Sequence, residues 1–266
     1  MKKLLAIYFS GTGNTAYAVK RLCARLTEAG LECVTRSIED EISGGDMAAA
    51  DTVLIGYPIY GSDMPRMLKE FLSARAAEFE GKDIITLATQ LKGSGDGGAL
   101  AMRLLKRVGI KRAASIHINL PSNISDFPLI SRFWIFKIKN GEQLARKAAR
   151  ANRKIDKCAA GILSGRRVKH GRRFFSRPLG LFQRIPYRLF IEKRYARKLK
   201  IDGQLCNKCG LCAECCPADN ISGGIVPQNN CNLCYRCINM CHAKAISLVT
   251  KRKPKVQYKG IQSDDN

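Results

Sequence analysis

Eight cysteines close to the C-terminus follow a spacing that occurs twice in the sequence. Each copy has the pattern C-x2-C-x2-C-x3-C, and the second copy begins 25 residues after the first. The first copy consists of Cys206, Cys209, Cys212 and Cys216, and the second of Cys231, Cys234, Cys237 and Cys241. Thiolate sulfur is a strong metal ligand. In a reducing compartment, metal ligation explains such a pattern better than disulfide bonds do.

The spacing within each copy predicts iron–sulfur clusters. Three thiolates separated by two residues each can hold three corners of one cube, and the fourth cysteine points away and ligates the other cluster. The predicted ligands are Cys206, Cys209, Cys212 and Cys241 for one cluster, and Cys216, Cys231, Cys234 and Cys237 for the other. Zinc is the alternative metal, although structural zinc usually takes one C-x2-C pair from each of two separated knuckles. The surplus thiol, Cys215, has Met240 as its counterpart, so we expect it to pack as a small apolar side chain.

Residues 201–249 resemble the bacterial ferredoxins that carry two [4Fe–4S] clusters, and the doubled cysteine run is the motif that carries the resemblance. The resemblance implies a small α+β domain that holds both clusters. One departure is His242, which stands where these ferredoxins usually have a proline. That proline shapes a turn and is not a ligand, so the expected ligands are unchanged.

The segment FSGTGNTA (residues 9–16) follows an apolar run and opens a predicted helix. Free backbone N–H groups and the positive end of the helix dipole favour an anion at such a place, and hydroxyl and amide side chains can surround a terminal phosphate. A Walker A loop is excluded because no Gly-Lys-Ser/Thr follows. A purely structural turn and a dinucleotide-binding loop remain alternatives, since Gly11, Gly13 and Ala16 satisfy G-x-G-x-x-A and Glu39 lies where a ribose-binding acid would.

The residues Ser-Gly-Thr-Gly-Asn-Thr at 10–15 resemble the FMN-phosphate loop of the flavodoxins. The resemblance implies a sheet of order 2-1-3-4-5 with FMN at its switch point, and it implies that loops 57–65 and 90–98 hold the isoalloxazine ring. Tyr57 or Tyr60 could stack on the ring, and glycines allow the backbone to approach it. The residues predicted to bind FMN are Ser10, Gly11, Thr12, Gly13, Asn14, Thr15, Tyr57, Pro58, Tyr60, Gly61 and Gly93.

Strands and helices alternate along the first part of the chain, which predicts a doubly wound α/β fold. Apolar runs predict strands at 3–9, 33–38, 51–60, 83–90 and 115–121, and helical spacing predicts helices at 14–29, 65–76, 97–108 and 140–163. Such a parallel sheet is covered on both faces, and its ligands lie at the carboxyl ends of its strands. We expect four parts: a flavodoxin-like domain at 1–163, a basic aromatic connector outside the sheet at 164–200, the cluster domain at 201–249 and a flexible tail at 250–266.

The formal net charge of +24 is concentrated in one region. Residues 132–200 hold 22 basic and 3 acidic side chains with aromatic residues interleaved. Such a segment suits an acidic redox partner protein or an anionic membrane surface. The alternative is a solvated basic face with an apolar stripe that docks the two domains. Nucleic acid is the less favoured partner.

The two resemblances together indicate a flavodoxin–ferredoxin fusion of the kind found in anaerobic microbes. We expect an electron carrier that relays single electrons between two [4Fe–4S] clusters and FMN. The alternatives are a flavin-dependent oxidoreductase that reduces a small substrate, and a redox-sensing interaction protein. No acid–base pair or nucleophile stands out as catalytic. The N-terminal apolar run is too short for a signal peptide, so we expect a cytoplasmic protein, with peripheral membrane attachment as an option.

Overall fold

The computed structural model describes residues 3–126, 136–166, 168–172, 174–221, 226–249 and 253–261. Its larger part contains a five-stranded, fully parallel sheet of order β2-β1-β3-β4-β5. The strands are β1 (Lys3–Tyr8), β2 (Glu32–Ser37), β3 (Thr52–Pro58), β4 (Asp83–Gln90) and β5 (Ala113–Asn119). The predicted strand order is therefore confirmed, and each strand lies within a few residues of its predicted position.

Helices cover both faces of this sheet. They are α1 (Asn14–Glu28), α2 (Gly44–Ala49), α3 (Arg66–Ala74), α4 (Leu100–Leu105) and α5 (Gly141–Leu163), with short 3-10 turns at Ala76–Phe79, Gly97–Ala99 and Lys106–Val108. On one face, Leu68 and Leu105 join the apolar side chains of the strands, and on the other face Leu22 and Ile155 do so. The strands are nearly continuous apolar runs because both of their faces are buried. Among the described residues, no helix is both long and apolar enough to cross a membrane.

The connector (residues 164–200) is more regular than its sequence indicates. It contains α6 (Ser176–Pro186), a π-helical turn (Tyr187–Glu192) and α7 (Lys193–Ala196). From the sequence we expected a connector outside the sheet and assigned no helix to it. The reason is that its docked face consists of Gly180, Arg184 and Tyr187, which are spaced as on a helix but are not an apolar stripe. Ahead of α6, the connector also extends the sheet by a single parallel bridge between Ser115 and Lys169.

The cysteine module (residues 200–249) has a two-stranded antiparallel sheet, β6 (Lys200–Ile201) and β7 (Ile246–Ser247). Its two short helices are α8 (Leu211–Glu214) and α9 (Arg236–Met240). The two helices begin 25 residues apart, which is the offset of the cysteine pattern. Apolar side chains of this module, among them Ile221, Ile238 and Ile246, form a separate core.

Residues 253–261 do not behave as the flexible tail that we expected. Tyr258 is buried, and its hydroxyl donates a hydrogen bond of 2.5 Å to Oδ1 of Asn14. The side-chain amide of Gln257 donates to the backbone carbonyls of Ile238 and Cys241. The segment is therefore packed between the first loop of the sheet and the cysteine module. The polar sequence of this segment does not indicate this packing, because the packing depends on specific hydrogen bonds and not on periodic apolar side chains.

Candidate functional site

The first loop (residues 10–15) lies between β1 and the start of α1. Gly13 has φ +92°, and α1 begins at the next residue. The backbone N–H groups of residues 11–15 donate no hydrogen bond to any described residue. Five consecutive N–H donors at the N-terminus of a 15-residue helix therefore have no protein acceptor in the described part of the chain, an arrangement that suits an anion.

The side chains of the first loop already have protein partners. Oγ of Ser10 accepts a hydrogen bond of 3.2 Å from the backbone N–H of Ala16, and the hydroxyls of Thr15 and Thr89 are 2.8 Å apart. Oγ1 of Thr12 accepts from Nδ2 of Asn123 at 3.1 Å. These contacts fix the shape of the loop. The backbone donors, and not the hydroxyls that we emphasised from the sequence, are the groups left to hold a phosphate.

The two tyrosines of the second loop (residues 57–64) have different environments. Tyr57 lies in the core with no exposed surface, and its hydroxyl donates to the carbonyl of Gly97 at 3.1 Å. Burial raises the pKa of both tyrosines. The hydroxyl of Tyr60 is buried without a hydrogen-bond partner among the described residues. The structure therefore does not bring Tyr57 to a flavin-stacking position, whereas Tyr60 lies beside the first loop.

The remaining residues predicted to bind the ring are distributed along the second and third loops. Pro58 ends β3 and is half-buried, and Gly93 in the third loop (residues 90–98) faces open space. Gly61 is covered, because a Cβ atom there would lie 2.1 Å from the ring of Tyr187. The connector thus contributes an aromatic side chain to this region that we did not assign to it from the sequence.

The eight predicted ligands line two separate cavities. The cavity that contains the exposed Cys209 is called the outer cavity, and the one that contains the buried Cys234 and Cys237 is called the inner cavity. The cysteines of the outer cavity are Cys206, Cys209, Cys212 and Cys241, and those of the inner cavity are Cys216, Cys231, Cys234 and Cys237. These are the two sets that the spacing predicts, including the exchange of the fourth cysteine between copies. No three His, Cys, Asp or Glu side chains in the described residues are close enough to hold a single metal ion.

The two copies have the same backbone conformation as well as the same cysteine spacing. Non-helical residues with positive φ occur at equivalent positions, which are Lys208 and Leu233, Gly210 and Tyr235, and Asp219 and Lys244. Equivalent backbone N–H groups also donate to cysteine sulfur. Lys208 donates to Cys206 at 3.4 Å, and Leu233 donates to Cys231 at the same distance. Hydrogen bonds to sulfur of this kind stabilise a charged thiolate and tune the potential of a cluster bound there.

The thiols of the two cavities differ in burial. Cys209 of the outer cavity is exposed, whereas Cys234 and Cys237 of the inner cavity are buried. Burial raises the pKa of Cys234 to about 12 and that of Cys231 to about 11. Without a metal these thiols carry protons, and a bound metal would displace them. Burial also raises the pKa of Cys215 to about 11, and its half-buried side chain packs against the core of the module.

The inner cavity borders the first loop of the sheet. A Cβ atom on Gly11 would lie 2.6 Å from the carbonyl oxygen of Cys234 and 2.9 Å from the hydroxyl of Tyr60. Nδ2 of Asn123 donates both to Thr12 and to the carbonyl of Cys234. A loop of the cysteine module therefore lies in van der Waals contact with the loop that has five free N–H donors.

Arg236 connects the same two regions. Its guanidinium donates to the carbonyls of Ser10 and Gly11 at 2.8 and 3.0 Å, and to that of Cys215 at 3.1 Å. It also pairs with both carboxylate oxygens of Glu39, at 2.6 and 2.7 Å. Glu39 is thus engaged in a contact between modules, and the ribose-binding role considered from the sequence is not needed to explain it.

A family model for the flavodoxin domain matches residues 5–142, which is just over half of the chain. The chain belongs to the flavodoxin domain family. Members of this family are flavin-binding redox proteins, so a flavin takes precedence over the dinucleotide that the glycine spacing also allowed. The match ends before the connector and the cysteine module.

Solved structures with a similar fold include two-electron reduced flavodoxin from Megasphaera elsdenii, flavodoxin 1 from Bacillus cereus and an azoreductase from Bacillus anthracis. Their sequence identities to this chain are 21%, 15% and 12%. The alignments cover 59%, 61% and 60% of this chain and 98%, 98% and 99% of those chains, with TM-scores of 0.42, 0.42 and 0.40.

The flavodoxin domain fits the phosphate end of FMN, because its first loop offers five free backbone donors at a helix N-terminus. Residues of the connector contact the second and third loops. Arg184 donates to the carbonyl of Ser62 at 3.0 Å and pairs with Asp96 at 2.5 Å, and Arg188 pairs with Asp63. No sequence signal marked Arg184, because a single arginine in a basic segment looks like a solvated charge.

Proposed function

We propose that this flavodoxin-family protein is an electron carrier that holds FMN in its flavodoxin domain and two [4Fe–4S] clusters in a ferredoxin-like module. The clusters would exchange single electrons, and the flavin one or two. The ligands of the outer cluster are Cys206, Cys209, Cys212 and Cys241, and those of the inner cluster are Cys216, Cys231, Cys234 and Cys237. The domain limits are those expected from the sequence, with residues 253–261 as part of the packed structure.

The observation that carries the proposal is the contact between the inner cavity and the first loop. The backbone carbonyl of Cys234 lies against Gly11, and Asn123 bonds to both sides of this contact. A chain with two unrelated functions has no need to pack a cluster loop against a phosphate-binding loop. The short separation favours transfer between the two cofactors within one chain.

The exposure of the cysteines suggests the direction of the relay. Cys209 makes the outer cavity accessible to an external redox partner, and the buried thiols of the inner cavity are next to the flavodoxin domain. The protein's own part is to hold the thiolates, to donate backbone hydrogen bonds to their sulfur, and to exclude water from the inner cavity. Three cysteines in one tight loop, joined by a fourth from the other copy, also suit a cubane better than one zinc ion, which usually takes a C-x2-C pair from each of two separated knuckles.

A carrier fits the structure better than an enzyme that reduces a small substrate at the flavin. The second and third loops, where the ring of FMN is expected, are packed against the connector through Gly61 and Tyr187. Arg184 and Arg188 hold this cover by ion pairs to Asp96 and Asp63. This packing favours a carrier, because electron transfer does not need an open pocket for a substrate.

The cluster assignment is tested with two neighbouring cysteines. After anaerobic reconstitution, we expect the native chain to contain about eight iron atoms and the Cys216→Ala variant about four, because only the inner cluster loses a ligand. Cys215→Ala is the matched control and should keep the native iron content. A chain that binds zinc and no iron, or equal loss in both variants, would exclude the assignment.

The flavin site is tested by comparing FMN with riboflavin, which lacks the phosphate. Thr12→Asp places a negative charge at the first loop, and we expect it to weaken FMN binding by on the order of 100-fold through charge repulsion. Riboflavin binding should change little. Thr27→Asp, at the exposed end of α1, is the control. FMN and riboflavin binding that fall together would show that Thr12 does not lie at the phosphate.

A further inference from the structure

Exposed apolar side chains are concentrated in one segment of the connector. Of the 14 large hydrophobic residues that are exposed in the described parts of the chain, nine lie between residues 174 and 191. They are Phe174, Phe175, Leu179, Leu181, Phe182, Ile185, Leu189, Phe190 and Ile191. Single exposed apolar residues are ordinary on protein surfaces, but a contiguous group of this size marks an interaction surface.

This exposed group lies on the side of α6 opposite its docked face. Gly180, Arg184 and Tyr187 are buried against the flavodoxin domain. Residues 175, 179, 182, 185 and 189 follow each other at intervals of three or four, so they share one side of the helix, and all are exposed. Phe175, Phe182 and Leu189 expose 77%, 79% and 65% of their surface. We name the exposed side formed by Phe175, Leu179, Phe182, Ile185 and Leu189 the aromatic stripe.

The aromatic stripe is held rigidly by buried contacts. Side-chain exposure is 7% for Arg184 and zero for Asp96, its partner in a 2.5 Å ion pair. Gly180 lies so close to the third loop that a Cβ atom on it would overlap Oδ1 of Asp96. The stripe is therefore presented to the outside by the fold itself. It is not an apolar face awaiting burial in the domain's own core.

Basic side chains surround the stripe. Residues 164–200 contain 13 basic residues and one acidic residue. Arg177, Lys193, Arg194 and Arg197 are exposed, and none of them forms a salt bridge with a described residue. A short helix with aromatic and aliphatic residues on its outer side and unpaired arginines and lysines beside them has the composition of an interfacial membrane helix.

We propose that the aromatic stripe docks this protein on an anionic lipid surface. The apolar side chains enter the boundary between headgroups and acyl chains, and the neighbouring arginines and lysines bind the lipid phosphates. The positive charge favours an anionic occupant, and the nine exposed apolar side chains favour a lipid surface, which offers anionic phosphates and an apolar interior together, over an acidic protein. The surplus of 12 positive charges in the segment would repel a second copy of this chain. Docking on a flat lipid surface requires no groove. The proposal does not depend on the cofactors.

The test measures flotation of the full-length, anaerobically purified protein with vesicles. We expect binding to vesicles of equal parts phosphatidylglycerol and phosphatidylcholine, and much weaker binding to phosphatidylcholine alone. The double variant Phe182→Ser/Leu189→Ser should reduce partitioning on the order of 10- to 100-fold. Leu163→Ser/Val256→Ser removes two exposed apolar residues outside the stripe and is the matched control. Unchanged iron content and circular dichroism would show that each variant is folded.

Four outcomes would overturn the proposal. The first is an absence of binding to vesicles of either composition. The second is binding that the stripe variant does not weaken, because charge alone would then account for it. The third is a native protein that sediments as a dimer and becomes monomeric in the stripe variant, since the stripe would then be an interface between copies. Binding to tRNA that falls with the same variant while vesicle binding stays constant would also exclude the lipid surface.

Discussion

Arg236 is the side chain on which the contact between the two modules depends most. It stands between two predicted cluster ligands and donates to three carbonyls and one carboxylate. Its side chain is 19% exposed and that of Glu39 is 26% exposed, so both charges are largely removed from water. Truncating such a group leaves several acceptors without donors, which costs more than a surface ion pair is worth.

We therefore predict that Arg236→Ala lowers the free energy of unfolding by about 3 kcal/mol. Glu39→Gln should cost about 1 kcal/mol, because the amide oxygen still accepts one hydrogen bond. Anaerobic urea unfolding of the iron-loaded protein measures both changes. The control is Arg146→Ala in the exposed pair with Glu142, for which little change is expected. Equal effects of Arg236→Ala and Arg146→Ala would contradict the role given to Arg236.

His117 provides a prediction on pH dependence. Burial in β5, next to His170 and Lys154, lowers its pKa to about 4, although Asp96 acts in the opposite direction. In the unfolded chain its pKa is about 6.5, so below that pH the unfolded state takes up a proton that the folded state does not. Stability is thus unaffected above the unfolded pKa and falls as the pH drops from about 6.5 towards 4.

The loss attributable to His117 should reach about 2 kcal/mol at about pH 5. Urea unfolding at that pH and at about pH 7.5 measures it. The variant His117→Gln has no titrating group at this position, so its stability should fall less between the two pH values. Parallel loss in native protein and variant would show that other groups dominate the acid response.

At the scale of elements, the positions of the strands and loops followed from apolar runs separated by helical periods, whereas the strand order 2-1-3-4-5 came from the resemblance of the first loop to that of the flavodoxins. The cysteines that line each of the two cavities are the sets predicted from the spacing. The docked connector could not be predicted in this way. Its apolar side faces outwards and its buried side carries Gly180 and Arg184, so hydrophobic patterning indicates the wrong face. Contacts such as that of Tyr258 with Asn14 join residues far apart in sequence and leave no local signal.

The close packing of α6 on the third loop predicts an unusual effect of Gly180→Ala. Alanine normally favours a helix by about 1 kcal/mol relative to glycine. Here its Cβ atom would lie 1.8 Å from Oδ1 of Asp96, so α6 should detach. Trypsin should then cleave the arginine-rich connector about ten times faster, following the population of the detached state. Gly203→Ala, where the new methyl group meets no atom within 4 Å, is the control and should leave the digestion rate unchanged.

At the scale of the whole molecule, three chain segments from outside the sheet converge on the first loop. They are the cysteine module through Arg236, the loop after β5 through Asn123, and residues 253–261 through Tyr258. None of the three segments lies next to the first loop in sequence. The loop's order is thus a property of the assembled chain.

Under the proposed function, removal of iron should loosen regions far from the cysteines. We predict faster amide hydrogen exchange in residues 10–16 and 253–261 of the iron-free protein than of the iron-loaded protein, because the cysteine module no longer holds them. Residues 83–90 of β4, which lie inside the sheet, should exchange at the same rate in both forms. Mass spectrometry of peptic fragments measures this. An iron-free protein with an unchanged first loop would show that the sheet alone orders it.

The contact of Tyr258 with Asn14 also sets an order of events during synthesis. The sheet and its helices are complete once residue 163 has been translated, whereas Tyr258 is added nearly a hundred residues later. At roughly 5–20 residues per second, the nascent sheet waits on the order of 5–20 s for the segment that closes over its first loop. A flavin that binds this loop would meet least competition early in the interval, before the loop that carries Cys234 has been translated.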